Sequence, residues 1–351
     1  MSKGELVMKK IEEVDSNFKV KTNIDKKDVK FYDVMNEPFK IHGVFFENGK
    51  FRRMTESVAK NVSEGVYYLH SNTAGGRVRF KTDSEYIVLN THMVNIGKMP
   101  HFPLTGSAGF DLYVDDTYVN TFVPPFDIEN GYEGVINFEK KELRDVTINF
   151  PLYSDVEKVY IGLSENASLL PTEGYENKIV YYGSSITQGG CASRPGNSYQ
   201  AIISRRFDCD YINLGFSGNA KAEDEILDYI KNLEMSVFVY DYDHNAPSAE
   251  HLKNTHEKMF KAIRELKPDI PIIMMSRPKY ILTDEERERL EIIKTTYHNA
   301  KQSGDDNVYM ITGPELMEMA KSEGTVDNCH PNDLGFASMA KALGDVLESV
   351  L

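Results

Sequence analysis

The chain has 351 residues, 41% of them hydrophobic, with 20 Tyr, 18 Phe and a formal net charge of −14. Such apolar content excludes a disordered polypeptide, and the length exceeds one core of usual size, so two domains are expected. The acidic balance argues against a nucleic-acid or anionic-membrane partner, because polyphosphates and acidic lipids attract Lys/Arg-rich faces; its ordinary meaning is solubility.

The opening stretch Met1–Lys10 lacks the apolar h-region of a secretory signal. No apolar run reaches the ~18 residues of a membrane span. Cys191, Cys209 and Cys329 are odd in number and show no paired spacing, which fits a reducing compartment and no disulfide framework. A cytoplasmic protein is expected.

Up to about residue 165, period-two alternation dominates. Arg77–Lys81, Tyr118–Phe122 and Val146–Leu152 each alternate apolar and polar residues, the habit of antiparallel strands with one wet face. Asp115-Asp116, between Gly109–Val114 and Tyr118, is expected to turn a hairpin. No long helix is expected here, and a β-sandwich or jelly-roll-like domain over 1–165 is the economical reading. A linker over 166–177, containing Pro171 and Gly174, follows.

From residue 178 onward the pattern changes. Apolar runs at Ile179–Tyr182, Tyr211–Leu214, Val237–Tyr240, Ile272–Met275 and Val308–Ile311 are separated by amphipathic stretches. Helices are expected near 198–207, 222–232, 248–266, 284–302 and 314–321, with a last one through Phe336, Met339, Leu343 and Leu347. Apolar strands alternating with helices mean a parallel sheet covered on both faces, an α/β domain over 178–351.

In such a sheet the chemistry sits beyond the carboxyl ends of the strands. The first run leads to Ser185, the second to Gly215-Phe216-Ser217-Gly218 and the third to Asp241–Asn245. Near the C-terminus stands Asp327-Asn328-Cys329-His330. A serine is a weak nucleophile until an imidazole takes its proton, and the imidazole needs a carboxylate to hold its tautomer. Ser185, His330 and Asp327 are therefore the candidate catalytic residues. The Ser185 and Gly215 N–H groups and the Asn245 carboxamide are candidate oxyanion donors. Asp241 and Asp243 lack the partners of a metal site, and none is expected. His244, His251 and His256 are taken as surface or supporting groups, and Cys329 as structural.

These four separated blocks, Ser185, Gly215, Asn245 and His330, with the acid Asp327, resemble the SGNH branch of the GDSL-type esterases and lipases. Gly109-Phe110-Asp111-Leu112-Tyr113 is similar to the Gly-x-Asp-Leu-Tyr signature of a β-domain preceding one subgroup of them. Two positions depart from the pattern: Ser184 stands where an Asp is usual, and Asp243 where a Gly is usual. The resemblance implies a flavodoxin-like hydrolase domain with a five-stranded parallel sheet and helices on both faces, and ester hydrolysis through an acyl-enzyme without a cofactor. It further implies a small acyl group on a polar alcohol, with removal of O-acetyl groups from oligosaccharides the leading expectation. A general short-chain esterase or thioesterase, or a non-catalytic carbohydrate-binding protein, are the alternatives. Arg194 and Arg277 are candidate substrate-binding residues, each equally readable as a surface ion pair. The expected partner is a small-molecule or oligosaccharide ester, and a homo-oligomer is compatible with the sequence.

Overall fold

Each of the two sequence patterns produces its own kind of sheet. The structure, a computed structural model, describes residues 20–351; the stretch read for a secretory signal, and with it the start of the first domain, lies outside them. Between Val29 and Leu170 the strands pair antiparallel. One sheet runs, in spatial order, Val29–Asp33, Asp155–Ser164, Tyr86–Val94 and Glu133–Asn137. The other runs Leu169–Leu170, Arg77–Thr82, Arg144–Asn149, Phe110–Val114 and Thr117–Phe122, with Lys40–His42 also on Arg77–Thr82. Alternate residues turn inward to a shared core, among them Val78, Phe80, Leu112 and Ile148 from one sheet and Ile87, Leu89 and Ile161 from the other. Each such buried side chain contributes about 1.5–3 kcal/mol. Asp115 and Asp116 have φ of 47° and 60°, the left-handed pair that a two-residue hairpin turn requires.

The second half forms a five-stranded parallel sheet in the order Asp210–Gly215, Lys178–Gly183, Val237–Asp241, Ile272–Met275, Val308–Ile311. Alternate strand residues feed opposite faces. Val180, Tyr182, Phe238, Tyr240 and Met274 join one core, while Ile179, Tyr181, Val237, Val239 and Ile273 join the other. Helices Tyr199–Phe207, Asp224–Lys231, Ala249–Leu266, Asp284–Gln302 and Asp333–Leu347 cover the faces. The first strand has its sequence neighbour on one side and the third strand on the other. That reversal opens a crevice past the carboxyl ends of Lys178–Gly183 and Val237–Asp241.

The halves share their cores. Two short helices, Glu56–Val62 and Glu64–Leu69, put Ala59, Val62, Val66 and Leu69 into the cluster holding Val180, Tyr182 and Leu214. On the other face Phe102, Leu152 and Tyr153 pack with Ile179 and Tyr181. These helices were not expected from the sequence. The linker expected over 166–177 also carries structure, since Leu169–Leu170 pairs with Lys81 and Thr82. The helix expected over 314–321 is shorter, Gly313–Leu316, and Lys321 takes a left-handed φ of 50° at the start of a separate turn. Among the described residues no helix is long and apolar enough to cross a membrane.

Candidate active site

Strand Lys178–Gly183 runs into a four-residue helix, Ser185–Gln188. Ser184 caps it, its Oγ accepting the Ile186 N–H at 3.1 Å. Ser and Asp are equivalent in that task, so the substitution at this position preserves the local geometry. Gly183 is needed for close approach: a Cβ there would stand 1.7 Å from Asp241 Oδ1. Ser185 opens the helix, where the first N–H groups have no intrahelical acceptor, and it is 6% exposed. The β-domain buttresses this helix. The Tyr153 hydroxyl donates to Ser185 O at 3.1 Å. Gln188 Nε2 donates to Asn72 Oδ1 and Leu152 O at 3.1 and 3.3 Å.

Ser185 Oγ lies 2.9 Å from His330 Nε2, and His330 Nδ1 lies 2.8 Å from Asp327 Oδ2. The other carboxylate oxygen accepts the backbone N–H groups of Cys329 and His330 at 3.0 and 2.7 Å. Both partners therefore come from one tight loop, closed by the Val326 N–H to His330 O bond of 2.9 Å. Partial burial opposes the Asp327 charge, but the His330 ring and the backbone donors outweigh it and hold the carboxyl below its usual range. Asn332 caps the last helix, its Oδ1 accepting the Gly335 N–H at 3.0 Å.

The expectation for Gly215 is corrected. Its N–H donates to Asn213 Oδ1 at 2.9 Å and its carbonyl accepts Arg53 Nη1 at 2.6 Å, so this N–H is engaged within the fold. A Cβ at Gly215 would lie 2.1 Å from Gln188 N; the residue serves close packing behind the nucleophile helix. Three residues on, Gly218 has φ 69°, and a Cβ there would meet nothing within 4 Å. It is the third residue of the turn closed by Asn219 N–H to Phe216 O at 2.8 Å, a position whose own N–H the turn leaves unused. Asn245 ends a 3-10 turn, Asp243–Asn245. Its Oδ1 accepts the Ala220 N–H at 3.4 Å, which leaves the amide nitrogen as the free end.

Asp243, in the place of a usual Gly, fastens that turn. Its carboxylate accepts N–H groups of Arg277 and His244 at 3.1 and 2.8 Å, and burial pushes it up to about 6. Asp241 is buried beside Thr187, whose hydroxyl donates to it, and burial pushes its carboxyl well up. Arg194 forms the ion pair that was one of its two expected readings. It donates to Asp111 Oδ2 at 3.1 Å and to the Tyr113 hydroxyl, and Gly196 N–H joins the same Asp111 oxygen at 2.8 Å. The Gly-x-Asp-Leu-Tyr segment thus grips the loop that follows the nucleophile. Arg277 pairs with Glu286 at 3.0 Å through Nη1, while its buried Nε has no partner. His256 is not a surface group: it is buried against the Tyr240 ring at 4.7 Å and bonds Thr296.

Residues 176–348 match the GDSL-like lipase/acylhydrolase family, and residues 29–169 match the N-terminus of SGNH-hydrolase-type esterases. The chain belongs to the GDSL-like lipase/acylhydrolase family. No curated protein sequence matches it. A GDSL-like lipase candidate from Bacteroides ovatus ATCC 8483 has a solved structure with TM-score 0.82 at 26% identity, covering 92% of this chain and 98% of that one. The salicylyl-acyltransferase SsfX3 of a tetracycline biosynthetic pathway superposes with TM-score 0.76 at 18% identity, covering 93% and 99%. A family two carbohydrate esterase from Cellvibrio japonicus gives 0.62 at 12%, covering 92% and 98%. The last two share the fold.

Proposed function

We propose that this acylhydrolase-family protein cleaves short-chain esters, with Ser185 as nucleophile, His330 as general base and Asp327 as the group that orients and stabilises the imidazolium. The single observation carrying this reading is the continuous chain Ser185 Oγ–His330 Nε2 at 2.9 Å and His330 Nδ1–Asp327 Oδ2 at 2.8 Å. Ser185 Oγ attacks the acyl carbon as its proton passes to His330 Nε2. The tetrahedral oxyanion is met by the N–H groups of Ser185 and Gly218 and by Asn245 Nδ2. His330 then protonates the departing alcohol, and a water deprotonated by the same nitrogen releases the acid. Residues of the chain supply every step of this scheme.

The alcohol is proposed to be a sugar and the acyl group acetyl. Polar residues border the nucleophile loop: Ser217, Asn219, His244 and Arg277 stand on the elements next to it. The carbohydrate esterase of similar fold supports the substrate class by analogy of fold alone. Acetate release from acetylated oligosaccharides, measured beside release from long-chain and thioester substrates, tests the assignment. A marked preference for acetyl sugars is expected; equal or better rates on long-chain acyl groups would reject the sugar acetylesterase.

A further inference from the structure

We infer that His101, Cys191 and His330 form a binding site for a thiophilic divalent cation of the Zn2+ class, and that filling it silences ester cleavage. The inhibitory half of this inference rests on the reading of His330 as the general base. The three side chains come from three separate elements. His101 belongs to the β-domain loop before the short helix Leu104–Ser107, Cys191 to the loop after the nucleophile helix, and His330 to the C-terminal loop. One donor atom from each lies within 4.8 Å of the others. The His101 and His330 rings are 5.6 Å apart between centroids, and a Cβ on neighbouring Gly190 would sit 3.4 Å from His330 Cδ2.

Tetrahedral zinc with two imidazoles and a thiolate needs donors about 3.3–3.6 Å apart, from metal–nitrogen and metal–sulfur distances near 2.0 and 2.3 Å. Side-chain torsions alone can make that adjustment. Two of the donors are uncommitted, for among the described residues neither the His101 ring nor the Cys191 thiol has a hydrogen-bond partner. The third is already oriented as metal-binding histidines are, since His330 Nδ1 is held by the Asp327 carboxylate. Its Nε2 lone pair is therefore the one available, and it is the same lone pair that accepts the Ser185 proton. Metal capture expels the Cys191 proton to solvent and leaves a fourth position open. No oxidation or reduction is involved. Asp327, Cys329 and His330 form a second group of comparable spacing. That group is the poorer site, because both Asp327 oxygens and His330 Nδ1 are bonded to one another or to backbone N–H groups.

The experiment uses the full chain, stripped of metal. Zn2+ is titrated into p-nitrophenyl acetate hydrolysis, and Co2+ is titrated separately while the thiolate-to-cobalt absorption in the near ultraviolet is followed. Micromolar Zn2+ is expected to inhibit, reversibly with EDTA. Cys191→Ser and His101→Ala are expected to keep the metal-free rate and to need at least about tenfold more Zn2+. His101 is exposed, so its variant folds even if the buried Cys191 variant does not. Cys329→Ser is expected to respond as wild type, and Ser185→Ala to lose hydrolysis but keep the cobalt band. An active wild type that shows neither Zn2+ inhibition nor the cobalt band overturns the inference. Loss of sensitivity in Cys329→Ser instead of Cys191→Ser does the same. A wild type without hydrolysis but with the cobalt band would reject the ester-cleaving reading and leave the metal site standing.

Discussion

Gly215 and Asn245 occupy neighbouring strand-end loops, yet one is engaged inside the fold and the other keeps a free donor. Asn245→Ala should lower kcat on p-nitrophenyl acetate about 10²–10³-fold with little change in thermal midpoint, if its amide meets the oxyanion. A loss below about threefold would assign the residue elsewhere. Gly215→Ala should act the other way round. Its Cβ meets the Gln188 backbone, so overpacking costs about 1–3 kcal/mol of stability in denaturant unfolding. The serine, histidine and aspartate were legible in the sequence because a strand-end Ser and an Asp-x-x-His pair are short, chemically specific patterns. Gly215 and Gly218 were not separable there: both follow the same strand, and only the partner of each N–H distinguishes them.

Elements whose partners lie within the same half were the legible ones. The five buried strands and the helices from Tyr199 to Leu266, and Asp284–Gln302, lie within two residues of their expected bounds, since each has a continuous apolar run or a full helical stripe. Glu56–Val62 and Glu64–Leu69 escaped because each is under two turns long and its apolar residues face the other half's sheet. The role of Arg194 stayed open between two readings for a related reason. In sequence its guanidinium reads equally as a substrate contact or an ion pair, because its partner Asp111 lies 83 positions away. Arg194→Ala should leave Asp111, which is fully buried, without its cation and cost about 3–5 kcal/mol. Urea unfolding checks this, and an unchanged stability with a raised KM would restore Arg194 to the substrate site.

At the scale of the molecule, the β-domain is a buttress to the hydrolase half. Arg53, fully buried, donates to the carbonyls of Leu69, Asn72, Asn213 and Gly215, bridging both halves directly behind the site. Arg77 reaches Asp210 at 2.6 Å, with His42 and Lys178 nearby. Burial opposes the Asp210 charge, but His42, Arg77 and Lys178 together hold its carboxyl well below the usual range. A depressed folded value means the stabilisation is present above the unfolded carboxyl value of about 3.9 and is lost as pH falls below it. The thermal midpoint of wild type should exceed that of Asp210→Asn at pH 7, and the gap should close as pH drops through about 4 and below. A gap independent of pH would show that the charge does not hold the halves together.

The proposed chemistry turns on one oxygen atom, Ser185 Oγ. Hydrolysis of p-nitrophenyl acetate by wild type and Ser185→Ala, with thermal midpoints matched, tests it most directly. A rate loss of at least about 10³-fold is expected, because nucleophile, base and acid act as a unit. A folded Ser185→Ala protein that retains wild-type turnover would contradict it.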